Sequence, residues 1–459
     1  MGPRLLGFAD RLQKGFVSTT HNSIKHAKSY LKGLVCAAPN KKNMERMAEA
    51  VPDVKYDKLQ HFITDSPWEA STVFDDLALR ANEVIPNTGT RILVIDESAI
   101  EKKGRESVGV GRMWNGRLGK VDNCQVGVHA SLGTDGHHVI VNSRLYLPKD
   151  WAKDKRRCDK VKIPDEDQVC IPKTAIALDM VIHARELGLS FDVVGMDAGY
   201  GKDPSLLRSL DELGETFMAD VHSPQMVYAE DPRPHVPTGT PGRRGRQPSK
   251  PVSDAKPIAA RQLAMAAPSE AWEMVRVRQT TKGWLERRFL RISVWLWDGS
   301  ATPPMRCILL VREDIERDGS VKLKYSATNA KDSLPTFRLA EMQSQRFWIE
   351  DTFRNAKGSV GMADYQTRTW RAWHHHMALV AMALLFMLEE RLLHKEEIPL
   401  LTCNDIVELL VEALTDPTIT EDDIWRQIAS RHRQRQASID SAFRRQAEST
   451  DGGFLKNEA

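Results

Sequence analysis

The sequence holds only six cysteines, Cys36, Cys124, Cys158, Cys170, Cys307 and Cys403, and no two of them form a CxxC pair. Nor do they stand at the spacing from histidine that a structural zinc site needs, so neither a disulfide framework nor a zinc module is written here. A reduced, cytoplasmic chain is the expectation. Long apolar runs are also missing. The longest, Met377 to Leu388, falls short of the ~20 residues that span a bilayer, and the opening MGPRLLGFADRL is too polar for a secretory signal. These two absences exclude a membrane-embedded or exported protein. Neither sign of charge dominates: 65 Lys and Arg face 62 Asp and Glu, for a formal net charge of +3. Any polyanion must therefore be met by local clusters rather than by global basicity. What remains is 459 residues of ordinary globular composition, 41% hydrophobic and 28% charged, long enough for two or three domains.

The most informative stretch is QRFWIEDTFRNAKGSVGM, Gln345 to Met362. On a helix at about 100° per residue, Gln343, Arg346, Glu350 and Lys357 fall within an arc of roughly 60°. One face thus carries an acid flanked by two cations, while Phe347, Trp348, Ile349 and Phe353 predict that the helix is packed into the protein. An acid on a packed helix needs a partner, and a divalent metal is one candidate. Two other acids could complete such a site. RILVIDES, Arg91 to Ser98, is a short apolar β-type run that ends in Asp96, and DVVGMDAGYG, Asp192 to Gly201, repeats the design with Asp197. Taken singly, an acid after an apolar strand is more often a turn or helix cap than a catalyst, so each signal alone is weak.

Taken together, IDES…KKG…SVGVGR…GKVDNCQVGV, then MDAGYG, then the R-x3-E-x6-K spacing of Arg346, Glu350 and Lys357 resemble the IS701 group of bacterial insertion-sequence transposases, relatives of the IS4 group. The resemblance extends from about residue 15 to about residue 390. It implies a DDE transposase with a ribonuclease-H-like catalytic core, in which Asp96, Asp197 and Glu350 match the three metal-binding acids. Arg346 and Lys357 match the R and K of the signature Y-x2-R-x3-E-x6-K, where they are expected to position phosphates. The chain departs from that signature at its first position, with Gln343 in place of Tyr. The implied cofactor is a pair of Mg²⁺ ions, with Mn²⁺ as a substitute: Asp96 bridging both, Asp197 on one and Glu350 on the other. Hard oxygen ligands suit such ions, which is why carboxylates rather than histidines are expected. The implied partners are double-stranded DNA, as transposon ends and as target, and a second copy of the chain in a synaptic homodimer. No membrane is implied, and the expected location is the bacterial cytoplasm at the nucleoid. Two rivals stand beside this reading: a nuclease or resolvase of the same fold that only hydrolyses DNA, and a non-catalytic, domesticated DNA-binding derivative.

The fold class expected is mixed α/β, a ribonuclease-H-like core with an inserted β-rich subdomain and an α-helical N-terminal domain. Residues 1–88 show apolar spacing of three to four and are expected to form a helical domain, which the resemblance implies binds the DNA end. Residues 89–225 run strand, strand, strand, helix, strand, helix, strand, the first part of the core. In the ribonuclease-H-like order the first and fourth strands are neighbours, which would set Asp96 next to Asp197. The segment SAIEKKGRESVGVGRMWNGRLGKVDN reads as a loop, in which Lys102, Lys103, Arg112, Arg117 and Lys120 either hold DNA phosphates or form a charged hairpin surface. Tyr200, in Gly199-Tyr200-Gly201, belongs to a tight turn or lies beside the scissile strand. Residues 226–335 are the insertion. Its Pro- and Gly-rich stretch, 229–257, carries Arg243, Arg244 and Arg246 and is either a basic arm that orders on DNA or a plain linker. At least four strands follow, ending near Asn329. Residues 336–395 hold the Glu350 helix and a helix completing the core. There His374, His375 and His376 point about 100° apart and cannot converge on one ion, so polar lining or helix surface is expected of them. Residues 396–459 form a basic helical C-terminal region.

Overall fold

An apolar run of four, Ile92 to Ile95, is buried on both faces, as a central strand of a covered sheet must be. In the computed structural model, which describes residues 1–18, 21–51, 54–237, 249–280, 282–316, 318–415 and 421–454, that run opens a large mixed sheet. Arg243, Arg244 and Arg246 lie outside the described residues.

Five helices lead: α1 (Gly2–Arg11), α2 (Ile24–Cys36), α3 (Met44–Ala50), α4 (Tyr56–Thr64) and α5 (Ala70–Val84). Strands β1 (Ile92–Glu101), β2 (Gly111–Asn115), β3 (Lys120–Thr134) and β4 (His137–Leu145) follow, then helices α6 (Lys149–Ala152), α7 (Lys155–Lys160) and α8 (Lys173–Glu186). Next come β5 (Val193–Met196), α9 (Ala198–Gly201), α10 (Pro204–Glu212), β6 (Phe217–Val221), the short strands β7 (Met226–Val227) and β8 (Ile258–Ala259), and α11 (Ala260–Ala266). Four strands, β9 (Trp272–Thr280), β10 (Gly283–Leu296), β11 (Met305–Ile315) and β12 (Val321–Thr328), precede α12 (Thr336–Gln345), α13 (Phe347–Gly358), α14 (Trp370–Leu393), α15 (Cys403–Thr415) and α16 (Glu421–Phe454).

The main sheet has ten strands in the order β2-β3-β1-β5-β6-β12-β11-β10-β9, with β4 paired to β3. β1 and β5 are neighbours, as the sequence order leads one to expect. β5 and β6 are parallel, whereas β12 returns antiparallel on β6, from Tyr325↔Val221 to Thr328↔Met218. Strands β9 to β12 are thus continuous with the main sheet, while β7 and β8 pair as a separate two-stranded sheet. The chain folds as two compact units, one comprising Met1–Arg91, Ile95–Ser190 and Phe347–Ala459, the other Ile92–Val94 and Phe191–Arg346.

In the first unit, α14 is buried on every side, from Ala372 to Leu388 with little interruption, and a helix apolar all round must be enclosed. Helices α2, α4 and α5 and strand β4 pack against it. His375 and His376 belong to this packing, which corrects for them the expectation of a polar lining or surface; His374 is half-buried, its Nδ1 3.0 Å from the Trp370 carbonyl oxygen. Both ring nitrogens of His375 lie 2.8 Å from carbonyl oxygens, those of Ile63 and Trp68, and the Trp68 indole stacks on the ring at 3.6 Å. His376 Nδ1 meets the Tyr30 hydroxyl at 2.9 Å. Lys42, 1% exposed, donates from Nζ to the carbonyls of Leu34, Val35 and Ala37 and so closes the C-terminus of α2.

The β3–β4 hairpin turns through Asp135 and Gly136, both at positive φ, 44° and 84°, the Asp-Gly chemistry of a tight two-residue connection. A Cβ built on Gly136 would stand 3.3 Å from the Trp348 indole, so α13 rests directly on this turn. Phe353 adds an edge-on contact to His129 of β3, centroids 5.3 Å apart. In the second unit, α12 packs on β9 and β10, burying Leu339 and Ala340.

Burial lowers the pKa of His129 and of His376 to about 3, with Lys357 and Lys102, respectively, as the next cause. Both folded values lie below the unfolded one of about 6.5. The unfolded chain therefore binds protons first, and stability present above about pH 6.5 is lost as pH falls toward 3. We expect urea midpoints to decline between about pH 7 and pH 4.5, and the decline to be shallower in His129→Gln and His376→Gln, by up to about 1.4 kcal/mol per pH unit per residue. An unchanged slope in both variants would exclude these rings as its source.

Candidate active site

Asp96 is the fifth residue of β1, half-buried, and its Oδ1 accepts the Glu97 amide at 2.7 Å. The strand continues to Glu101, so Asp96 sits mid-strand, not at the strand end the sequence suggested. A strand fixes its side chain more firmly than an end would. Glu350 lies exposed on α13, whose Trp348 and Phe353 are pinned to the β3–β4 hairpin as described. Lys357, two turns further along α13, is half-buried. Burial lowers its pKa, Arg117 lowers it further, and Glu101 and Asp96 act the other way. The signature lysine and the first signature acid therefore share one electrostatic neighbourhood. Arg117 itself is paired with Glu101, and Glu97 with Lys173.

Asp197 is the N-cap of α9, its Oδ1 accepting the amides of Gly199 at 2.9 Å and Tyr200 at 3.3 Å. Both capping bonds fall on one oxygen, leaving Oδ2 outside them. The turn that presents Asp197 depends on Gly201, where a Cβ would stand 2.0 Å from the carbonyl oxygen of Asp220; α9 approaches β6 too closely for any side chain. Asp220 is a carboxylate that sequence reasoning passed over. Its Oδ2 takes the Arg346 Nε at 2.8 Å, its Oδ1 takes the Ser326 hydroxyl at 2.7 Å, and Gln343 Nε2 donates to Ser326 Oγ at 2.9 Å. The signal was present: PheMetAlaAspVal of β6 repeats the apolar-run-then-acid design of β1 and β5.

Gln343, Arg346, Glu350 and Lys357 do not share one continuous helix. The chain turns at Arg346 between α12 and α13; Gln343 and Arg346 belong to the second unit, Glu350 and Lys357 to the first. Two expected DNA contacts are withdrawn from solvent. Tyr200 is 3% exposed and serves packing. Lys102 places its ammonium 3.7 Å from the Tyr365 ring centroid and donates to the Tyr365 carbonyl at 3.3 Å; burial lowers its pKa to about 8. Lys103 is exposed. Arg112 lies on β2, a strand where a loop was expected, and donates to the Val121 carbonyl at 3.3 Å. Lys120 opens β3 and lies 3.5 Å from Asp122. Among the described residues, no three His, Cys, Asp or Glu side chains are grouped as a metal-binding cluster.

A sequence model described as "DDE superfamily endonuclease" matches residues 12–284. The chain belongs to this family. The matched span includes Asp96 and Asp197 and stops before Glu350. Over 201 residues the chain is also 28% identical to a protein of Microchaete diplosiphon described as "Probable transposase for insertion sequence element IS701", an alignment covering 43% of this chain and 48% of that relative. The chain thus spans about half the length of this family relative.

The Gly201 contact generates a test. Gly201→Ala should destabilise the protein by about 1–3 kcal/mol, the cost of forcing extra volume against a packed backbone, as read from urea denaturation. Gly358→Ala, whose Cβ meets nothing within 4 Å, should be neutral or slightly stabilising. Equal effects at both positions would show that the α9 approach is not the constraint.

Proposed function

We propose that this chain is an insertion-sequence transposase of the IS701 type, with a ribonuclease-H-like core, that cuts DNA at the element's ends and joins them to target DNA. The observation that carries the reading is the family match across residues 12–284, which holds both aspartate motifs. The strand order β3-β1-β5-β6 supports it, as does the likeness to an IS701 transposase.

The three acids Asp96, Asp197 and Glu350 offer an oxygen-only donor set, which suits hard divalent cations, and Oδ2 of Asp197 lies outside its capping bonds. On this reading these residues hold two Mg²⁺ ions, which when bound supply Lewis acidity to the scissile phosphodiester. The chain's own work is positional. Water first displaces the 3′ oxygen at an element end, leaving a free 3′-OH; that hydroxyl then displaces a 3′ oxygen in target DNA. Arg346 and Lys357 hold phosphates during both displacements, Arg346 by exchanging Asp220 for a backbone oxygen. No side chain need act as general base. Among the described residues no helix is long and apolar enough to cross a membrane. The partners proposed are duplex DNA and a second copy of the chain at synapsis, in the bacterial cytoplasm.

The test is cleavage and strand transfer by the full chain on a duplex bearing the element's end, with Mg²⁺. Asp96→Ala, Asp197→Ala and Glu350→Ala should each reduce cleavage to background while leaving end binding largely in place. Nicking that survives any of them would refute the assignment of that acid. Cleavage without joining of a pre-cut 3′-OH end would favour the hydrolytic nuclease, and binding without cleavage by the unaltered chain would favour the non-catalytic derivative.

A further inference from the structure

The two faces of the β9–β12 region are charged very differently. On one face Arg276 pairs with Glu286 at 2.9 Å and Arg288 with Glu313 at 3.4 Å, one acid for each arginine. On the other, Asp314 alone receives Arg312 at 2.9 Å, Lys324 at 3.3 Å and Arg287 at 3.4 Å. Register places these four side by side: Arg312 is opposite Lys324 on β12, and Phe289 is opposite Arg312, which sets Arg287 beside Asp314 two residues along. Arg312 Nε is buried with no hydrogen-bond acceptor among the described residues. Three cations on one carboxylate leave more donors than that carboxylate can accept. Asp314, Arg287 and Arg312 remain 19%, 25% and 14% exposed and Lys324 48%, so an outside anion has access.

The cluster is also connected to the signature. Lys324 stands two residues before Ser326 on the same face of β12, about 7 Å away along the strand, and Ser326 bonds the Asp220 that holds Arg346. We propose that Arg287, Arg312 and Lys324 form a binding site for a DNA backbone phosphate, with Asp314 standing in for that phosphate in the free protein. The inference rests on the reading of the chain as a DNA-processing enzyme. It adds a site one register step beyond Arg346, so that a strand held by Arg346 continues across β12, β11 and β10. A phosphodiester brings a full charge and two non-bridging oxygens to a set of guanidinium forks that a single carboxylate satisfies incompletely.

The experiment is fluorescence anisotropy of the full chain with a labelled duplex across a salt series. Arg287→Gln and Lys324→Gln should each weaken binding by about tenfold and lower the slope of log K against log salt concentration by about one. Asp314→Asn should tighten binding, because it removes the competing anion. Arg288→Gln, on the opposite face, should leave both affinity and slope unchanged. Urea midpoints measured in parallel distinguish loss of contact from loss of fold: a purely structural cluster predicts that Asp314→Asn destabilises the protein without tightening DNA, and that result overturns the proposal. Wild-type binding that none of the three cluster variants alters overturns this site and leaves the transposase reading standing. Failure of the wild-type chain to bind duplex DNA overturns both.

Discussion

A helix that is apolar around its whole circumference cannot exist at a surface, and α14 imposes that condition on everything in its unit. Its burial needs cover on all sides, and the cover comes from elements far apart in sequence: α2, α4 and α5 before the sheet, and β4 within it. Some of the buried polar atoms on α14 find partners on the covering elements. His375, neutral in its buried site, donates its one N–H to one of the two carbonyl oxygens it lies between, and His376 Nδ1 meets a tyrosine hydroxyl. The N-terminal helices are therefore tied to the unit that carries Asp96 and Glu350, through the packing of one helix.

Charge is handled by a second rule, in which several carboxylates and cations near the signature residues are fixed by named partners. Asp197 caps a turn, Asp220 holds Arg346, Lys357 stands in the field of Asp96, Glu101 and Arg117. Such groups lose little freedom when they engage a ligand, which is the physical content of preorganisation. The Asp314 cluster follows the rule only in part, because its cations outnumber their acid. That imbalance sets it apart from the matched pairs on the opposite face.

Much of this was legible in the sequence. The apolar runs of β1 and β5 and the four strands after the Pro- and Gly-rich stretch are local signals, and local signals survive folding. Others were hidden for identifiable reasons. β2 alternates exposed and half-buried residues among glycines, so it reads as loop until its pairing with β3 is known. The turn at Arg346 has neither Gly nor Pro nearby, and the helical spacing runs through it unbroken. The histidines could be denied a shared ion by periodicity, but the burial of His375 and His376 depends on Trp68 and Tyr30, which no spacing rule connects to them. Lys102 looked like a phosphate ligand because composition shows charge and not the aromatic ring beneath it. Asp220 went unremarked although it completes a pattern already noticed twice.

The rest of α13 on the hairpin turn has a consequence for how this protein can vary. Gly136 combines a left-handed backbone with an indole at van der Waals range, and the indole belongs to the residue two before Glu350. Replacement at the turn would be felt as a tilt of the helix that carries an acid, with the sheet itself left intact. A turn in the first half of the chain is thus coupled by packing to the helix of Glu350 in the second.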